Sequence, residues 1–323
     1  MRVLSGIQPS GKLHLGNYFG AMRNHIALQD EHECFYFMAN YHTLTTIHDS
    51  DRLRQLTRDV ALDYLAMGLD PDKVNLFRQS DVPEVTELAW ILSTVTGKGL
   101  LDRATSYKDR VARGLKPSMG LFCYPLLMAA DILIYRSERV PVGRDQVQHI
   151  EMTQDMAGYF NTTFREVFVR PEPLLGEAPV VPGVDGQKMS KSYDNTIELF
   201  APPKAVKKKI MSIKTDSTPV EEPKNPATCN VFALLQLMAG PDEVKEWEQR
   251  YRSGGMGYGE AKKRLVELYE ESFGSRRDAR ADWDARPDDI EDILRAGAAR
   301  ARAVAQQVMA EVREACGIVV ARP

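Results

Sequence analysis

No stretch of the 323-residue sequence approaches the roughly 18 consecutive apolar residues that a membrane-crossing helix requires, which excludes an integral membrane protein of the helical kind. Met1 leads directly into Arg2-Val3-Leu4 and a Gly/Pro-rich turn, so no secretory h-region is read at the start and a cytoplasmic location is expected. Cysteine is scarce. The four residues, Cys34, Cys123, Cys229 and Cys316, lie far apart without a C-x-x-C pair, which argues against both a zinc site and a disulfide framework. Charge of one sign is also lacking: the formal net charge is -3, so the chain has no overall basic footprint of a nucleic-acid binder, and any basic surface must be local. Internal repeats and low-complexity tracts are absent. What is present is ordinary globular usage, with 43% hydrophobic and 27% charged residues, on a length that suggests two domains.

The first half alternates strand and helix. Met1 to Leu4 is a short apolar strand that runs into the turn Ser5 to Gly11. Leu15, Tyr18, Phe19, Met22 and Ile26 then recur at helical spacing, predicting a helix over 15–29. Cys34 to Ala39 is a continuous apolar run, as in a strand buried on both faces, and His42 lies just beyond its end. A helical period over 51–68 leads to a third apolar run at 74–77. This βαβαβ order predicts an α/β fold with a doubly wound parallel sheet, whose ligands sit beyond the carboxyl ends of its strands. Residues 84–175 read as mostly helical, with the apolar stretch Leu121 to Tyr135 interrupted by Asp131, a carboxylate that is costly there unless partnered. After a Gly/Pro/Asp/Ser-rich loop over 176–199, helical patterns at 204–214, 229–239, 242–252, 260–273 and 288–316 predict an all-α second domain. The expected division is therefore 1–199 and 200–323, with the last helix able to pack back on the first domain.

Two constellations carry chemistry. Gln8-Pro9-Ser10-Gly11-Lys12-Leu13-His14-Leu15-Gly16-Asn17 stands where the first strand meets the first helix, a place suited to a phosphate because helix N-termini offer free N–H groups. Gly6-x4-Gly11-Lys12 imitates a P-loop, but Leu13 replaces the hydroxyl residue that would hold Mg²⁺. The second is Gly186-Gln187-Lys188-Met189-Ser190-Lys191-Ser192, in which two lysines three apart can both reach one triphosphate and neutralise charge building on a departing pyrophosphate. A lysine pair alone would more often be a solvated surface; joined to H-L-G-N after a first strand, the pattern is far more specific.

The combination resembles the class I aminoacyl-tRNA synthetases, as variants of their H-I-G-H and K-M-S-K-S signatures. Pro9-Ser10-Gly11-x-x-His14-Leu15-Gly16-Asn17-Tyr18, Leu127-Met128-Ala129-Ala130-Asp131-Ile132-Leu133 and Pro141-Val142-Gly143-Arg144-Asp145-Gln146 are similar to the tryptophanyl branch of that class, over nearly the whole chain. The tyrosyl branch shares the G-x-D-Q segment and an aspartate reading a ring-borne proton. An indole N–H is a donor only, so a carboxylate on an apolar helix, with Met128 one turn away, makes chemical sense as its acceptor.

The resemblance implies a Rossmann-like catalytic domain and a helical anticodon-binding domain. It implies Lys188, Lys191, His14 and Asn17 as catalytic residues. ATP would be held by Gln8, Pro9, Ser10, His14, Gly16, Asn17, Gly143, Arg144, Asp145, Val180, Lys188, Met189, Ser190, Lys191 and Ser192. Tryptophan would be held by Asp131, Met128, Tyr124, Gln146, His42, Gln8 and Leu4. His42 also fits a purely structural role, and the sequence does not choose. Arg144 departs from the family's usual Glu, and Lys108 or Arg110 falls near a family lysine that approaches pyrophosphate. The implied partners are tRNA(Trp), L-tryptophan, ATP with Mg²⁺ as a substrate complex, and a second copy of the chain. Some relatives carry an iron–sulfur cluster; here Cys229 has Tyr251, Tyr258 and Ala261 at or near the other ligand positions, so no cluster and no protein-bound metal are expected. The lysines and arginine of Lys207, Lys208, Lys209, Lys262, Lys263 and Arg264 are candidate tRNA phosphate contacts. The rival readings are a nucleotidyltransferase sharing the first signature and a silent paralogue that binds tRNA without charging it.

Overall fold

The computed structural model describes residues 1–318 apart from 113, 115, 177 and 178, and apart from the side chains of 106, 109 and 110. Five strands form one sheet among the described residues: β1 (Arg2–Ile7), β2 (Glu33–Met38), β3 (Val74–Arg78), β4 (Arg139–Val142) and β5 (Glu172–Leu175), in the order β3-β2-β1-β4-β5 and parallel throughout. The order reverses between β1 and β4, the kind of switch point beyond whose carboxyl ends such sheets bind ligands, and Gln8 and Gly143 follow those two strands directly. Cys34, Phe35, Tyr36, Phe37 and Met38 of β2 are all buried, which is why that strand reads as an unbroken apolar run.

Residues 84–175 are mostly helical, and they also hold β4 and β5, which the sequence does not mark. Both strands are only four residues long and each contains a proline, Pro141 and Pro173, so neither length nor propensity marks them in the sequence. The predicted helix over 15–29 is a helical turn Leu15–Asn17, a π-helical turn Tyr18–Met22 and the α-helix Arg23–Leu28. The helix expected over 260–273 runs Tyr258–Asp284; its polar last turns carry no apolar stripe to read.

The chain forms two compact units, divided otherwise than at residue 200. The first comprises 1–10, 25–176 and 287–323; the second comprises 11–24 and 177–286. In the first, the C-terminal helix Pro287–Ala315 lies along β3. Gly297 permits the approach, since a Cβ there would stand 2.1 Å from the Leu76 carbonyl oxygen. Arg300 donates to Asn75 Oδ1 (2.7 Å) and to the carbonyls of Pro71 and Val74, and Arg78 forks onto Glu291 (2.8 and 2.7 Å). In the second, the signature segment is sewn to the chain after the K-M-S-K-S loop: Leu15 N–H donates to the Ile197 carbonyl (3.0 Å) and Leu199 N–H to the Leu13 carbonyl (3.1 Å). Tyr18 meets the Phe273 ring edge to face at 5.1 Å. Neighbouring residues of the sequence thus belong to different cores, which periodicity alone does not reveal.

Candidate functional site

In the first unit, the helix Met119–Leu133 carries Asp131 into the core, where it is 2% exposed. Its cost of burial is offset by donors: Gln79 Nε2 stands 2.9 Å from both carboxylate oxygens, and His42 Nε2 stands 2.9 Å from Oδ2. Burial pushes the Asp131 carboxyl above the usual range, and the His42 and Gln79 hydrogen bonds pull it back. His42, at the end of the short helix Asn40–Thr43 beyond β2, is therefore joined to Asp131. Gln79, immediately after β3, was not singled out in the sequence; a buried amide has no spacing signature and is found only through its contacts.

Tyr124, on the same helix as Asp131, pairs with His149 Nε2 at 2.6 Å, and burial holds the His149 imidazole below its usual range. Met128 packs against the core without being fully buried, while Leu4 of β1 is a core residue. Beyond β4, Gln146 Nε2 donates to Asp145 Oδ2 (2.9 Å), and the Asp145 carboxylate lies so close over Gly143 that a Cβ there would be 2.7 Å from Oδ1. Arg144 is exposed. Lys108 lies in the helix Thr105–Ala112, and the side chain of Arg110 lies outside the described residues. A separate cavity of about 490 Å³ in this unit is lined by Arg54, Arg58, Arg78, Asp81 and Glu291 among others, and includes neither Asp131 nor His42.

The second unit gathers His14, Gly16, Asn17 and the loop Lys188–Ser192. His14 caps the first turn: its N–H donates to Asn17 Oδ1 (3.1 Å). Its imidazole is buried and pushed down to about 4, by desolvation first and by the Lys191 charge second, so it is neutral near pH 7; its Nδ1 has no partner among the described residues. A Cβ on Gly16 would be 2.9 Å from that ring. The expectation that the helix end offers its N–H groups to phosphate is limited by the tertiary structure, since Leu15 N–H is already given to Ile197 and the first turn is only three residues long.

The loop is anchored from within. Met189 is buried and its N–H donates to the Val181 carbonyl (2.8 Å). Asn195, buried and not recognised from the sequence, accepts from Ser190 N–H (2.8 Å) and donates to Asp185 Oδ1 (2.7 Å) and the Lys188 carbonyl (3.2 Å). Lys188 is exposed, whereas Lys191 Nζ donates to the Gly11 carbonyl (2.9 Å), and Val180 is exposed.

Among the six candidate phosphate contacts, Lys262 donates to the Met211 and Ile213 carbonyls, Arg264 to Glu243, Glu267 and Glu271, and Lys209 to the Asp194 carbonyl. Lys207, Lys208 and Lys263 are exposed. Cys229 Sγ lies 3.6 Å from the Tyr251 hydroxyl, and the Phe232 and Tyr258 rings flank Tyr251. No group of three or more His, Cys, Asp or Glu side chains among the described residues is placed to hold a metal, and no helix among them is long and apolar enough to cross a membrane.

A parallel sheet with its switch point between β1 and β4 in one unit, and H-L-G-N and K-M-S-K-S segments together in the other, are the features of a class I aminoacyl-tRNA synthetase. The model of the tRNA synthetases class I (W and Y) matches residues 1–274, and the chain belongs to that family. It is similar to the tryptophan–tRNA ligase of Rhodopirellula baltica, 53% identical over 98% of this chain and 100% of the relative, and to that of Fusobacterium nucleatum, 50% identical over 98% of each. Among solved structures, tryptophanyl-tRNA synthetase from Campylobacter jejuni complexed with ADP and tryptophan superposes with a TM-score of 0.92 at 47% identity, covering 98% of this chain and 100% of that one.

Proposed function

We infer that this chain is a tryptophan–tRNA ligase. It joins L-tryptophan to ATP, giving tryptophanyl-adenylate and pyrophosphate, and then transfers the acyl group to the 3′ end of tRNA(Trp). The observation that carries the choice of amino acid is the buried Asp131 carboxylate on an otherwise apolar helix, satisfied by His42 and Gln79 yet retaining acceptor capacity for an indole N–H. Met128 offers polarizable sulfur to the ring, Leu4 an apolar wall, and Tyr124, Gln146 and Gln8 polar atoms for the ammonium and carboxylate.

In the first step a tryptophan carboxylate oxygen attacks the α-phosphorus, the bond to the bridging oxygen breaks, and pyrophosphate leaves with the electron pair. No side chain need act as nucleophile or base. Lys188 and Lys191 neutralise the charge growing on the leaving group; neutral His14 and Asn17 bind ATP as hydrogen-bonding groups, and Asp145 accepts from the ribose hydroxyls beside Gly143. Gln8, Pro9, Ser10, Gly16, Arg144, Val180, Met189, Ser190 and Ser192 complete the nucleotide-binding set. Mg²⁺ would enter with the ATP phosphates as a substrate complex and would supply charge neutralisation when bound. In the second step the 2′-hydroxyl of the terminal adenosine attacks the acyl carbonyl and AMP leaves.

The helical residues from 200 to 286 are proposed to bind the anticodon, with Lys207, Lys208 and Lys263 as phosphate contacts. The active form is a homodimer in the cytoplasm, and Cys229 serves packing and holds no iron. Pyrophosphate exchange measured with tryptophan and with tyrosine tests the assignment: exchange with tryptophan alone is expected, and exchange with tyrosine alone refutes it. Reversing the three exposed lysines should weaken tRNA charging and flatten its dependence on salt, because phosphate contacts release counterions; an unchanged salt slope removes them from the interface.

A further inference from the structure

Gln79 is held firmly beside Asp131, although the sequence does not mark it. It is 1% exposed, and both ends of its amide are used. Oε1 accepts the Tyr41 N–H (3.0 Å) while Nε2 bridges the two oxygens of Asp131 (2.9 Å each). The amide cannot turn over without setting its NH₂ against the Tyr41 N–H and its oxygen against a carboxylate, so the tertiary structure defines its orientation. The segment that carries it is pinned on either side. Ser80 N–H donates to Asn40 Oδ1 (3.1 Å) and Asn40 Nδ2 to Ser80 Oγ (2.7 Å), while Arg78 is held by Asp81 (2.8 Å) and by Glu291 of the C-terminal helix.

A carboxylate accepts about four hydrogen bonds. His42 and Gln79 occupy Oδ2, whereas Oδ1 takes a donor only from Gln79 among the described residues. We propose that Gln79 is a positioning residue for tryptophan selection, clamping the Asp131 carboxylate so that the open side of Oδ1 is presented to the indole N–H. This rests on the reading of Asp131 as the indole acceptor. His42 alone would leave the carboxylate free to rotate about its single bond, so the second, bridging donor is what sets its plane.

The other ionisable groups around the pair are His42 beyond β2, Tyr135 after the Asp131 helix, Glu84 on the helix Glu84–Val95 with its partner Arg302, and His149 with Asp145 beyond β4. All are common to the wild type and the variants below, so the informative quantity is the difference between their pH profiles.

The test compares full-length wild type, Gln79→Met, Gln79→Glu and Asp131→Asn by pyrophosphate exchange, with tryptophan and with its benzothiophene analogue, which has the same shape without the N–H. Gln79→Met keeps the volume and removes both donors. Its KM for tryptophan should rise about ten- to a hundredfold, as for a lost hydrogen bond to a charged group, while the KM for ATP and kcat stay within about twofold. Its preference for tryptophan over the analogue should shrink by a similar factor. Without the amide donor the buried carboxyl protonates more readily, so its tryptophan KM should climb relative to wild type as the pH is lowered. Gln79→Glu keeps the acceptor for Tyr41 and gains a donor only on protonation, so its tryptophan KM should fall as the pH is lowered. This opposite slope is not produced by loss of packing, and it decides the matter even if Gln79→Met does not fold. Unchanged KM, preference and pH profile in the Gln79 variants, with Asp131→Asn impaired, would overturn the positioning role and leave the Asp131 reading intact. If Asp131→Asn were also unchanged, that reading would fail and the proposal with it.

Discussion

Asp131 and Lys188, the charges proposed to serve the two halves of the chemistry, are presented in opposite ways. Asp131 is buried, on a 15-residue helix, and held by two donors before any substrate is considered. Lys188 is exposed on a loop whose order comes from its neighbours, through buried Met189 and Asn195. The contrast suits the role proposed for each. Rejecting an amino acid that lacks the indole N–H depends on leaving a desolvated group unpaired, which carries a penalty only in a dry, rigid site. Neutralising a triphosphate needs reach and charge at the moment the charge develops, which a long side chain on an anchored loop provides.

The largest expected effect lies on the loop. Lys188→Ala and Lys191→Ala should each slow adenylate formation about a hundred- to a thousandfold at saturating ATP, with little change in ATP KM, because the interaction strengthens in the transition state. Single-turnover adenylate formation checks this, and an unaltered rate in both would make the loop an ordinary solvated surface. The pocket should respond in selectivity instead: Asp131→Ala should lose about ten- to a hundredfold of its preference for tryptophan over phenylalanine, equivalent to about 1–3 kcal/mol for an unpaired buried donor. Competition between the two amino acids in aminoacylation measures it; undiminished preference would erase the distinction drawn above.

Gly297→Ala sharpens the comparison from outside either site. The added methyl meets the Leu76 backbone, which has no rotamer to yield, so the first unit should lose about 1–3 kcal/mol of stability. Because the strained helix backs β3, which leads to Gln79, tryptophan KM should rise while ATP KM holds; a rise in both would show that the two responses are not separable. The last effect concerns acid. His14 and His25, one in each unit, are both pushed down to about 4, so between about pH 4 and their unfolded value of 6.5 the unfolded chain binds more protons than the folded one. Stability is therefore complete above pH 6.5 and falls on acidification, by about 1.4 kcal/mol per pH unit for each histidine. Urea titrations at several pH values should show His25→Phe removing roughly one such contribution; an unchanged slope would mean that His25 is not neutral in the fold.

Much of this was legible in the chain itself, wherever a residue's role leaves a periodic or motif-sized trace. β1 to β3 follow from apolar runs, and the K-M-S-K-S loop from its composition. Gln79 and Asn195 left no trace because each acts through a single buried amide whose partners come from elsewhere in the chain. β4 and β5 were hidden by shortness and proline. The candidate phosphate contacts Lys262 and Arg264 looked equivalent to Lys263, and only the structure shows them committed to carbonyls and carboxylates of their own unit.

Local order determined the alternation of strand and helix and the family, because these depend on residue types at short spacing. The tertiary structure decided which unit each segment joins, whether a buried carboxylate is satisfied, and which lysines remain exposed. Those depend on hydrogen bonds and close approaches between residues tens to hundreds of positions apart, such as Gln79 with Asp131 and Gly297 with Leu76, where desolvation makes each missing partner costly and each extra methyl a clash.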